Sequence, residues 1–139
     1  RGSIRRLCDL TPPAAGLITA VGDAHLERFG SLEAIKITKQ ELAQAVPPGG
    51  VLVVSAEYPN AIRIAKESTH ARVLLYGENP DEQLATRVEQ VRFTVQGSHF
   101  VLRTPERSYE CFTPLLGRPI LMNLAGAFTM ATAIGVDPE

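Results

Sequence analysis

The stretch Val51-Leu-Val-Val-Ser-Ala56 constrains this chain more than any other. An apolar run with no polar alternation suits a strand buried on both faces. Such strands belong to parallel sheets whose two sides are covered by helices. Pro47-Pro48-Gly49-Gly50 sets the run off with a tight turn, and Pro59 opens a helix at its first position that reaches about Ser68. Upstream, Leu17 to Val21 reads as a short strand rich in β-branched residues. Ser31 then caps a helix that runs through Val46, with Glu33 favourably placed in its first turn. Ala71 to Gly77 gives a third strand, and Ser3 to Leu10 a leading helix with Ile4, Leu7 and Cys8 on one face, stopped before Pro12-Pro13. Helix and strand thus alternate, which predicts an α/β fold: a mostly parallel sheet with crossover helices.

The rhythm then changes. Val91, Phe93 and Val95 alternate with Arg92, Thr94 and Gln96, predicting a half-buried strand. Gly97-Ser98 fits a two-residue hairpin turn, His99 to Arg103 returns, and Tyr109 to Pro114 adds a third strand to a small antiparallel sheet. A last helix starts with Pro119 and runs to Ile134, closed by Gly135; being apolar nearly all round, it is expected to be buried.

Composition narrows the function classes. A net charge of −1 gives no reason to expect nucleic acid or an anionic membrane as partner. No stretch is long and apolar enough for a membrane span, and no signal peptide is visible. Cys8 and Cys111 have no metal or redox spacing, which suits free thiols in a cytoplasmic protein. The 139 residues suffice for one core, yet the chain enters without an initiator methionine and stops at Gly135-Val-Asp-Pro-Glu139. It therefore reads as an interior piece of a longer protein.

Three residues stand out chemically. His25 falls just past the carboxyl end of the first strand, where an open α/β sheet keeps its ligands. Lys39 lies fourteen residues on, in the stripe of Leu32, Ile35, Leu42 and Val46. A lysine on a core-facing line must snorkel, find a partner or lose its charge. Asn123 is a strongly polar residue in the first turns of an apolar helix, where it could simply satisfy backbone groups. Glu27 and Arg28 read as a solvated pair, and His70 and His99 have no ligand spacing.

The run Thr19-Ala-Val-Gly-Asp-Ala-His-Leu-Glu-Arg-Phe-Gly-Ser-Leu-Glu33, followed by Lys39-Gln-Glu41, resembles the central ATP-binding domain of the Mur ligases. Ala20 departs from the asparagine usual there. The resemblance implies the fold: residues 1–139 as part of a Rossmann-like Mur ligase central domain, a mostly parallel sheet with a small antiparallel one beside it. It implies ATP and Mg2+ as cofactors. His25 would help hold the magnesium, Lys39 would be carbamylated to give it an anionic oxygen ligand, and Asn123 would contact the adenine. Gly117-Arg118-Pro119-Ile120-Leu121-Met122-Asn123 keeps the last asparagine of the family's Gly-Arg-His-Asn-x-x-Asn string but replaces its His-Asn pair. Ser55-Ala-Glu-Tyr-Pro59 matches a turn near the nucleotide, again with substitutions.

The branch resembled joins D-alanyl-D-alanine to a UDP-N-acetylmuramoyl-peptide through an acyl phosphate, in peptidoglycan synthesis. A monomer is expected. No G-x-x-x-x-G-K-[ST] phosphate loop occurs in these residues. The family carries it upstream of the first residue, with a C-terminal domain after the last, so the piece alone is expected to be inactive. Two alternatives stand beside this reading: a ligase of the folylpolyglutamate or cyanophycin synthetase type, and a Rossmann-like module without catalysis.

Overall fold

The computed structural model describes residues 2–20 and 32–138, with the backbone alone for 32–35. Its elements are α1 (Ser3–Leu10), β1 (Ala15–Ile18), α2 (Leu32–Ala45), β2 (Val51–Ser55), α3 (Pro59–Ser68), β3 (Arg72–Gly77), β4 (Thr86–Thr94), β5 (Gly97–Arg103), β6 (Ser108–Thr113) and α4 (Arg118–Ala133). The six strands form one sheet in sequential order. β1 to β4 pair in parallel, and β4, β5 and β6 pair antiparallel. The expected α/β class holds, with one refinement: the antiparallel strands continue the parallel sheet instead of forming a second one.

β2 is buried at every residue, and the pleat divides its side chains between two cores. Leu52 and Val54 meet Ala43 of α2, Val46 just beyond its end, and Ile62, Ile64 and Ala65 of α3. Val51 and Val53 face the other way, toward Leu121 and Ala125 of α4. Helices therefore cover both faces, as the unbroken apolar run requires.

Several boundaries differ from expectation. β1 begins at Ala15 and ends at Ile18, because pairing with Val51 to Val54 draws in Ala15 and Gly16 despite their low strand propensity. Val21 lies outside the described residues, as does the Ser31 cap. In β4 the alternation misplaces the buried side: Thr86 and Val88 are buried, while Phe93 is 46% and Val95 98% exposed. A bulge between Glu89 and Arg92, with Gln90 at φ 52°, shifts the register midway and ends the regular alternation. The hairpin turn is Val95-Gln96, since Thr94 pairs with Gly97. Gly97 and Ser98 belong to β5, where the buried Ser98 hydroxyl donates to the Leu115 carbonyl at 2.7 Å.

α4 is apolar all round but buried only along Leu121, Ala125, Gly126 and Thr129. A helix lying on one face of a sheet has one side to hide, and Leu124 and Ile134 stay exposed. Gly126 is where it comes closest: a Cβ there would stand 2.7 Å from the Tyr76 ring. Tyr76 is fully buried, and burial pushes its phenol up to about 12, with Ser55 on the adjacent strand pulling the other way. Its hydroxyl nonetheless has no hydrogen-bond partner.

α1 has no buried residue; Ile4 and Cys8 are half-buried, but Leu7, expected on the same face, is exposed. The helix is held to α2 by a carboxylate. Glu41 accepts the amide hydrogens of Gly2 at 2.7 Å and Arg5 at 3.0 Å, capping an amino end that has no side-chain cap of its own. The Arg5 amide, then that of Gly2, keeps this carboxyl below the usual glutamate range.

Candidate functional site

β1, β2 and β3 finish at Ile18, Ser55 and Gly77. Their registers (Ile18 with Val54, Ser55 with Tyr76) bring these ends nearly level. The segments that leave them, Thr19-Ala20, Glu57-Tyr58 and Glu78, form one wall of a cavity of about 440 Å³. The first turns of α4 form the other, with Arg118, Pro119, Met122 and Asn123. Its size is that of a small-molecule site, and it opens where open α/β sheets bind ligands. A larger cavity of about 610 Å³ lies at the opposite edge, between Arg72, Thr104, Tyr109 and the end of α4. The carboxyl edge is the better candidate because three strand exits converge there.

The wall is tied together by side chains. Glu57 Oε1 accepts the amide hydrogens of Glu78 at 2.6 Å and Asn79 at 3.1 Å. Asn79 Nδ2 donates back to the Ala56 carbonyl at 3.1 Å. Glu78 in turn forms an ion pair with Arg118 Nη1, across the cavity mouth to α4. Gly77 has φ 147°, and a Cβ there would collide with Glu57 Oε1. That position admits only glycine without a shift, on both backbone and steric grounds.

Of the residues singled out by sequence, Asn123 is exposed and lines this cavity. Lys39 is half-buried on the side of α2 that also carries the buried Ala43, and it does not line the cavity. His25 lies outside the described residues, with Glu27 and Arg28. His70 is exposed, and the His99 ring lies against that of Phe112 in a tilted contact, with ring centroids 4.9 Å apart. Among the described residues no group of three His, Cys, Asp or Glu side chains could hold a metal ion. No helix among them is long and apolar enough to cross a membrane. Sequence reasoning missed Glu78 and its link to Arg118, although a polar residue just past a strand's carboxyl end is the signal that would have found it.

The Mur ligase middle domain is the family whose profile matches, over residues 1–131. The UDP-N-acetylmuramoyl-tripeptide–D-alanyl-D-alanine ligase of Bacillus subtilis is 27% identical over 139 residues, which is 100% of this chain and 29% of that protein. MurF from Acinetobacter baumannii superposes with a TM-score of 0.87 at 25% identity, covering 99% of this chain and 30% of that one. MurF from Thermotoga maritima, solved in complex with ADP, gives a TM-score of 0.85 at 20% identity, over 99% of this chain and 31% of that one. The chain thus spans less than a third of the length of these relatives.

Proposed function

The chain belongs to the Mur ligase family, whose middle-domain profile it matches nearly end to end, and from that premise we propose that the protein carrying it is an ATP-dependent ligase joining D-alanyl-D-alanine to a UDP-N-acetylmuramoyl-tripeptide. The observation that supports this most is the cavity at the carboxyl edge of β1 to β3, with Asn123 on its α4 wall. Its size and mixed lining suit the base and ribose of a nucleotide, with Asn123 supplying both donor and acceptor to a purine edge. The chain holds no phosphate loop, so its part is the base end of the nucleotide.

Bound magnesium and ATP supply the phosphoryl group that activates the peptide carboxylate and the positive charge that steadies it in transfer. By family resemblance, His25 and a carbamylated Lys39 are the residues that would hold the ion. Such a carbamate would offer a hard cation the oxygen ligand it favours. A cytoplasmic monomer is the setting we assign.

The test is phosphate release by the full-length protein supplied with ATP, magnesium and both substrates. Release that depends on D-alanyl-D-alanine is expected; release indifferent to it overturns the assignment. Asn123→Ala should raise the KM for ATP about tenfold, the worth of one lost hydrogen-bonding group to the ligand. Lys39→Ala should lower kcat by roughly a hundredfold, in the range for lost electrostatic stabilisation of the transferring group.

A further inference from the structure

Glu57, Glu78 and Arg118 run in series along the mouth of the cavity, and nothing in the nucleotide reading uses them. Glu57 locks the exit of β2 to the exit of β3 by accepting two backbone amide hydrogens from residues 78 and 79. Asn79 closes the same junction from its other side, through Ala56, and its Oδ1 accepts the Asp81 amide hydrogen at 3.0 Å. The 78–81 turn is therefore shaped before Glu78 reaches outward. Gly77 leaves the room that the Glu57 carboxylate occupies. Glu78 then grips Arg118, the first residue of a helix with no side-chain cap and no acidic residue in its first turn.

The Glu78 and Arg118 side chains are 29% and 59% exposed. Ion pairs that open to solvent add little to stability, so the contribution of this one is geometric. It sets how far the α4 wall, with Met122 and Asn123, stands from the strand-exit wall of Thr19 and Tyr58. We infer that Glu57, Glu78 and Arg118 are positioning residues that set the affinity of this cleft for a purine nucleotide, acting through the spacing of its two walls. The inference rests on the nucleotide reading above.

Titration of the full-length protein with a fluorescent methylanthraniloyl-ADP, competed by ADP, tests it. Glu78→Arg and Arg118→Glu should each weaken binding about tenfold, and the double swap should restore it to within about threefold, since only the pairing matters. Glu57→Ala should weaken binding similarly, whereas Glu57→Gln, whose amide oxygen still accepts both amide hydrogens, should stay within about threefold. Arg103→Glu, which breaks the 2.8 Å pair with Glu89 on the antiparallel strands, serves as control and should leave affinity unchanged. A double swap as weak as the single reversals overturns the inference, because Arg118 would then touch the nucleotide directly. Single variants that bind like wild type overturn it too. Loss of affinity that follows a falling Tm in every variant, swap included, also counts against it. Wild-type protein that binds no ADP removes both this inference and the nucleotide reading beneath it.

Discussion

Tyr76 shows how one atom can be carried at a cost. Its ring fills the space that Gly126 leaves on α4, so the residue is held by shape, yet its buried hydroxyl lacks a partner. A buried polar group without a hydrogen bond costs about 1–3 kcal/mol. Tyr76→Phe is therefore expected to fold at least as stably as the parent in urea at pH 7. Alkali gives a second readout. Burial pushes the phenol up from its ordinary 10.0 to about 12, so ionisation leaves stability untouched below pH 10 and lowers it as pH rises toward 12. The Phe variant should lose that alkaline decline. Equal decline in both proteins would show that other groups govern it. At this scale the sequence spoke unevenly. Asn123 was legible because a polar residue in an apolar helix stands out, but the Glu78–Arg118 pair joins positions forty residues apart. Glu78's place just past a strand end is a local signal, but nothing local ties it to Arg118.

Among the elements, α1 has the most conditional attachment. Its docking depends on the Glu41 carboxylate at its amino end more than on buried area, since none of its residues is buried. The Glu41 pKa is lowered from 4.5, so the cap is fully present above that value and fails as pH falls through the lower folded value. Amide exchange or chemical shift at Arg5 should report release of α1 in acid while the sheet persists. Glu41→Ala should produce the same release at neutral pH; an unchanged Arg5 amide in that variant would refute the role. The boundaries of α1 and α3 were readable from proline punctuation and apolar spacing, and those helices match the expected spans. Strand ends were not, because pairing decides them: Ala15 and Gly16 are strand only because Val51 and Leu52 lie alongside. The Glu89–Arg92 bulge defeated the alternation in β4 for the same reason.

For the whole molecule, β2 is the shared floor of both cores. A truncation there should be felt on both sides. Leu52→Ala is expected to cost about 2–5 kcal/mol, as large-to-small changes at buried leucines do. It should lower the midpoint of one common unfolding transition seen by far-ultraviolet dichroism and by tyrosine fluorescence alike. Two separate transitions would mean that the cores fail independently. The layered plan followed from the unbroken apolar run, whereas the single continuous sheet did not, since nothing in the chain between residues 78 and 85 announces a parallel join.

That join is short: among the described residues the β3–β4 register holds Tyr76 with Thr86 and Gly77 with Arg87, extended by one hydrogen bond from the Ala85 amide to the Leu75 carbonyl at 2.8 Å. Two rungs make a seam with little resistance of its own to tearing, and the load passes to α4, which rests on β2, β3 and β4 together. The last helix is in effect a splint. Were it lifted, the three-stranded meander would be free to peel from the rest of the sheet like a page from a weak binding.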